Sequence, residues 1–243
     1  MNSRYDLIYG FICGRHPYIN ILHFQWLAVY RLRKDLREEL ALLNGRILDV
    51  GCGEKPYEAW IRSPKNVFGI DERPGPKVDQ VVGTAEKWNL ADASFDALLC
   101  TQVLEHVELP HVTINESFRC LRPGAKAIFT APFIYGEHGS PKDFNRFSGV
   151  GLSSMLSRAG FEVLMTIRQG GIGSTLGLLF LGWLDELSAC SALSINLRKL
   201  LLPVWIVLSA LVNLLGWLLD TLDPTERFYS NVMIVARRPT RVS

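Results

Sequence analysis

The sequence predicts an α/β protein with a doubly wound, mostly parallel sheet, and three observations carry that expectation. First, Arg46-Ile-Leu-Asp-Val-Gly-Cys-Gly53 is a short apolar run that ends in two glycines around a cysteine. A buried parallel strand that stops abruptly and offers its backbone to a ligand reads this way, because glycine has no Cβ to block close approach. Second, the next strand-like run, Asn66 to Ile70, ends on Asp71, twenty-two positions after Asp49. Dinucleotide-type folds place an acid at about that offset to accept the two hydroxyls of a ribose. Third, strand-like runs continue to alternate with helix-period segments as far as Ile167.

Residues 1–17 are mixed and read as irregular or a short helix. From Tyr18 to Leu43 the apolar positions fall at helical spacing through Leu22, Trp26, Val29, Leu32, Leu36, Leu40 and Leu43, and Asn44-Gly45 stops the helix. Arg31, Arg33, Lys34 and Arg37 occupy its other side, either as a solvated face or as a basic surface toward anionic lipid. After the glycine turn come a short helix over 57–62, the strand ending at Asp71, a loop, and a third strand over 78–82. Phe95 to Cys100 is the fourth strand, a helix carries Ile114, Phe118 and Leu121, and Ala127 to Ala131 is the fifth strand. Ser148 caps a helix closed by Gly160, and Phe161 to Ile167 is the sixth strand. The last candidate strand, Asn231 to Ala236, follows about sixty residues later.

The turn departs from a dinucleotide fingerprint, since a third glycine is absent and Lys55-Pro56 crowd the approach a pyrophosphate would need. Leu48-Asp-Val-Gly-Cys-Gly53 instead resembles the first motif of class I S-adenosylmethionine-dependent methyltransferases of the type 11 kind. Gly83-Thr-Ala-Glu86, Val103-Leu-Glu-His-Val107 and the exit Leu121-Arg-Pro-Gly124 are similar to later motifs of that family. The resemblance covers about 44–168 and 231–237 and implies a seven-stranded Rossmann-like sheet with an antiparallel last strand. It implies S-adenosyl-L-methionine held by Asp49, Gly51, Cys52, Gly53, Asp71, Glu72, Thr84, Ala85, Glu86, Thr101 and Gln102. Quinone O-methyltransferases carry a Glu-x-x-Glu-His run that contributes to a metal site; here Gln102 replaces the first glutamate, so no metal is expected.

Two histidines are the catalytic candidates, because imidazole titrates near neutrality and can take a proton from a hydroxyl. His106 follows the fourth strand, and His138 lies in a loop after the fifth. That loop also offers Tyr135, His138, Asp143 and Arg146 as substrate contacts, with Asp143 and Arg146 alternatively paired to pin the loop.

The late insertion is apolar: Leu200 to Leu219 holds no charge, while Ser209, Asn213, Gly216 and Asp220 recur on one narrow helical face. The remaining circumference would sink into a membrane leaflet with Trp205 and Trp217 near its surface, form a dimer interface, or cover a hydrophobic substrate. A true transmembrane hairpin would put Arg198 and Lys199 outside, against the positive-inside tendency, whereas the basic tail of Arg237, Arg238 and Arg241 favours the leaflet. The expected organisation is a helical segment over 1–44, a methyltransferase domain over 45–169 and 230–243, and an apolar helical insertion over 170–229.

Composition sets bounds on these readings. Of 243 residues 48% are hydrophobic and 21% charged, which excludes a disordered chain. A net charge of +2 argues against nucleic acid as a partner. Five cysteines without a CxxC pair argue against a disulfide or zinc framework, and the N-terminus shows no signal peptide, so a cytoplasmic protein peripheral to the inner membrane face is expected. The leading expectation is a methyltransferase for a hydrophobic or lipid-linked acceptor. A non-catalytic scaffold, and a soluble enzyme for a small polar acceptor such as a sugar that uses the insertion to form a homodimer, stay open.

Overall fold

Ile47–Val50 (β1) is buried along its whole length, as an apolar strand in the middle of a parallel sheet must be. The computed structural model describes residues 4–190 and 195–240. β1 pairs in parallel with Val67–Asp71 (β2) on one side and Phe95–Thr101 (β4) on the other. Gln80–Val81 (β3), Leu121–Pro132 (β5), Glu162–Gln169 (β6) and Asn231–Arg237 (β7) complete a seven-stranded sheet in the order β3-β2-β1-β4-β5-β7-β6. β7 runs antiparallel to β5, from Pro132 opposite Asn231 to Lys126 opposite Arg237. Strand order reverses between β1 and β4, and the carboxyl ends there form the crevice where such sheets take ligands. The Rossmann-like, mostly parallel fold that the sequence predicts is therefore the observed one.

Several boundaries differ, each for a local reason. Helix α2 spans only Trp26–Leu40, because the side chains of Asn20 and His23 take backbone amides at Leu22 and Gln25 and hold that stretch in turns. Its buried side uses Leu27, Leu32, Leu36 and Leu40 rather than Trp26. The helix expected over 57–62 is one 3-10 turn at Glu58–Trp60. The third strand is short, since the Asp79 carboxylate accepts from Gly69 N and from Lys55. Helix α3 (Pro110–Cys120) ends one residue before β5, so Leu121 pairs with Phe95 and Arg122-Pro123-Gly124 forms a bulge within the strand. Ser148 does cap α4 (Gly149–Arg158), its hydroxyl accepting from Gly151 N at 3.1 Å.

The chain packs as two compact units. The sheet unit comprises 35–133, 137–168 and the chain from 231. The other holds the described parts of 4–34, 134–136 and 169–230, with helices α1 (Arg4–Cys13), α5 (Ile172–Cys190) and α6 (Ile195–Leu222). In the helical unit α5 and α6 touch backbone to backbone, and a Cβ on Gly173 would collide with the carbonyl of Gly216. Asp220 Oδ1 accepts from Ser174 N at 2.9 Å and Asp223 Oδ2 from Ile172 N at 3.3 Å, so two acids cap the start of α5. Asn213 Nδ2 donates to the carbonyls of Ile21 and His23. The small polar stripe of α6 thus faces inward, with Ser209 and Asn213 buried, while Leu200, Val204, Val207, Leu211 and Leu215 are exposed. Trp217 is exposed as expected, but Trp205 is half-buried with its ring 6.3 Å from that of Phe24. Leu200–Leu222 is long and apolar enough by length and composition to cross a membrane. Arg241 lies outside the described residues, as do the side chains of Arg198 and Lys199.

Candidate active site

The turn after β1 is built for backbone access. Gly51 has φ +65°, and a Cβ there would collide with Val103, so only glycine fits. Gly53 N donates to Asp71 Oδ2 at 3.0 Å, and Arg73 N donates to Oδ1 at 3.0 Å. These two bonds fix the carboxylate at the end of β2. Lys55 does not crowd a ligand here: it is buried under the turn, where Nζ donates to Val67 O at 3.1 Å and to Asp79 at 2.7 Å. Its left-handed backbone, φ +49°, directs the side chain inward, a reversal that residue identity did not signal.

A cavity of about 320 Å³ opens at this end of the sheet. Of the residues expected to hold a cofactor, Gly51, Asp71, Glu72, Thr84 and Gln102 line it, and so does His106. Others stand behind the wall. Asp49 is buried within β1, where burial pushes its carboxyl up to about 7 against the opposing pull of Lys55. The thiol of Cys52 is buried against β2 and pushed up to about 12. Glu86 Oε1 accepts from Gly83 N at 3.1 Å, closing its own loop, and Ala85 is exposed. Thr101 sits in the ladder opposite Thr130. Gln102, at φ +55°, donates through Nε2 to Thr130 Oγ1 and Asn231 Oδ1, which ties the ends of β4, β5 and β7. Trp88, Val103 and Lys142 also line the cavity, and sequence reasoning missed all three. A lone tryptophan in the polar stretch after β3 was the available sign for Trp88.

A second cluster adjoins this wall. His106 Nδ1 lies 2.5 Å from Lys142 O, and a carbonyl only accepts, so Nδ1 carries the proton and Nε2 of the neutral ring is left as an acceptor. The ring meets that of His138 edge-on at 5.0 Å. His138 N donates to Asp143 Oδ2 at 2.8 Å, and Asp143 takes both guanidinium ends of Arg146 at 2.6 Å. Arg146 therefore holds the Asp143 carboxyl well below the ordinary range. Asp143 and Arg146 form the loop-pinning pair, and the same loop reaches Glu72 through Lys142 Nζ at 2.7 Å. Tyr135 belongs to the helical unit, where its hydroxyl accepts from Gln25 at 2.8 Å. Glu105 is fully buried, and burial pushes its carboxyl up to about 7.

Residues 48–129 match the family model described as a methyltransferase domain. A ubiquinone biosynthesis O-methyltransferase of Hahella chejuensis is 38% identical over 115 residues, 41% of this chain and 48% of that protein. The chain spans about half the length of the ubiquinone-pathway relatives it matches. Among solved structures, a phosphoethanolamine N-methyltransferase of Haemonchus contortus, in complex with S-adenosyl-L-methionine, aligns with a TM-score of 0.56 at 14% identity, covering 98% of this chain and 57% of that one. The cyclase SpnF aligns equally well, at 0.56 and 20% identity over 89% and 83% of the two chains, so likeness at this level speaks for the fold alone.

Proposed function

We infer, from a chain that carries a class I S-adenosylmethionine-dependent methyltransferase domain, that it transfers a methyl group to a hydrophobic or lipid-linked acceptor at a membrane surface. The carrying observation is that the Gly51 turn and the Asp71 carboxylate, both inside the matched 48–129 segment, line one cavity. The site fits S-adenosyl-L-methionine. Gly51 leaves room for close approach, the pre-set Asp71 carboxylate is placed to accept from a ribose, and Trp88 and Val103 offer apolar walls to an adenine. Asp49 supports the turn from behind. The bound cofactor supplies a methyl group already activated on a sulfonium, so orientation carries most of the rate. His106 or His138 takes the proton of the acceptor, and the fixed tautomer of His106 favours its Nε2 for that task.

Two observations support the apolar acceptor and the membrane surface. The named relatives act in ubiquinone biosynthesis, and α6 exposes Leu200, Val204, Val207, Leu211 and Leu215 to the outside. A helix with such a face lies in the interfacial plane of a bilayer, consistent with a protein peripheral to the cytoplasmic leaflet.

Calorimetric titration with S-adenosyl-L-methionine tests the first part. Micromolar binding by wild type, weakened at least ~10-fold in Asp71→Ala by loss of charge-assisted hydrogen bonds, is expected. Absence of binding by folded wild type overturns it. Flotation with anionic liposomes tests the second; a dimer in solution that stays at the bottom of the gradient overturns the membrane reading and leaves the cofactor reading standing.

A further inference from the structure

The resemblance to quinone O-methyltransferases implies a metal near Glu105 and His106, and Gln102 in place of a glutamate stands against it. Whether a cation fits is decided by the side chains that meet there. Gln102 is anchored by its amide nitrogen, which donates to Thr130 and Asn231, and it brings no charge to the place where a glutamate would stand. Another side chain comes to the same place from a different loop. Donor atoms of Glu105, His106 and His138 all lie within 4.8 Å of one another, with His106 Nε2 3.9 Å from Glu105 Oε1.

The carboxylate of Glu105 itself calls for a cation or a donor. It has no exposed surface, and neither carboxyl oxygen has a hydrogen-bond partner among the described residues. Leaving both oxygens of a buried carboxyl unsatisfied is costly, and nearly all such groups in folded proteins find a donor or an ion. The surroundings of the histidines agree. The Lys142 carbonyl holds the Nδ1 proton of His106, the outer contact that orients a ligating imidazole through its other nitrogen. On the far side Asp143 Oδ2 stands 3.5 Å from His138 Nδ1 while its grip on Arg146 offsets the nearest positive charge. The Lys142 ammonium is turned away to Glu72.

We propose that Glu105, His106 and His138 form a binding site for a divalent first-row transition-metal cation, with His138 in the ligand position that Gln102 does not fill. Two imidazoles and one carboxylate suit zinc, cobalt or iron better than magnesium or calcium, which prefer oxygen donors. Three protein ligands leave coordination positions open, as in catalytic rather than structural sites. The proposal rests on the methyl-transfer reading only for its use: with a cation bound, His106 Nε2 would be a ligand and no longer a base, and the cation would instead polarise an acceptor hydroxyl beside the methyl donor so that water takes its proton.

The test uses tag-free full-length protein stripped with chelator and titrated with Co²⁺, read by its visible absorption. Wild type should bind one equivalent, and Glu105→Gln and His138→Gln should each bind at least ~10-fold more weakly, a ligand being worth no less than an outer-shell partner. In wild type, Zn²⁺ should shift the ring nitrogen resonances of His106 and His138 but not those of His111, which keeps the test valid if a variant fails to fold. No Co²⁺ binding by wild type, equal affinity in both variants, or unmoved His106 and His138 resonances overturns the proposal. Titration of the same samples with S-adenosyl-L-methionine separates the two readings. Cofactor binding without Co²⁺ binding removes the metal alone; Co²⁺ binding at these residues without cofactor binding leaves the metal site and removes the methyl-transfer reading.

Discussion

β4 and α6 are both apolar stretches, yet they partition their side chains in opposite ways. In β4, Phe95, Ala97, Leu98, Leu99 and Cys100 are all at most 2% exposed. In α6, Ser209 and Asn213 are at most 1% exposed, while Leu200 is 74% and Leu222 70% exposed. The strand follows the rule for a protein in water, where burying apolar area contributes about 25 cal/mol per Å². The helix turns its polar residues inward, with Asp220 tying it to α5 and Asn213 to the 21–23 turn, and leaves most of its leucines outside. A run of exposed leucines and valines along one helix face marks a surface that something else covers. The two regions thus divide the work in this reading, the sheet for the cofactor and α6 for the surface on which the acceptor resides.

Gly51 is the position at which the sheet is most sensitive to substitution. Gly51→Ala places a side chain at φ +65° and against Val103. It should lower affinity for S-adenosyl-L-methionine by ~100-fold or more and cost about 1–3 kcal/mol of stability, as strained non-glycine backbone does. Calorimetry and urea unfolding read both. Normal binding in this variant would separate the turn from the cofactor.

At the inward stripe, Asn213→Ala removes the donor to the half-buried carbonyls of Ile21 and His23. It should destabilise the protein by about 1–2 kcal/mol, the worth of the lost hydrogen bonds. A loss under ~0.5 kcal/mol in urea unfolding would show that the stripe is not what holds α6.

Asp49 tests the strand interior through pH. Its folded carboxyl titrates near 7, above its ordinary value of 3.8, because burial disfavours the charge. The fold therefore binds this proton more tightly than the unfolded chain, and its contribution is present below about 4 and lost as pH rises toward 7. Asp49→Asn should flatten that part of the slope and raise the melting temperature at pH 8 relative to wild type. An unchanged slope between pH 4 and 7 would mean that Asp49 is ionised in the fold.

The smallest effect on stability is expected on the outer face of α6. Leu211→Glu combined with Leu215→Glu should change unfolding free energy by no more than ~0.5 kcal/mol, as exposed substitutions do, while abolishing flotation with liposomes. A large destabilisation would mean that these leucines are covered by protein in solution, which favours a dimer.

Local information was sufficient for much of the frame. β1, its glycine turn and the acid ending β2 were legible because strand burial, positive φ and the offset to Asp71 are all written within 46–71. The inward stripe of α6 was legible for the same reason, since helical spacing fixes which residues share a face. Spacing fixes a face but not its neighbour. That Lys55 turns under the sheet to Asp79, that Gln102 ties three strands, and that Glu105 and His106 meet His138 thirty-two positions beyond His106 depended on strand order and loop closure. The α/β frame and the glycine turn after β1 could be read from the chain alone, because their signals are short-range. Which polar groups come together beside the cavity depends on packing, because those contacts exist only once distant segments have met.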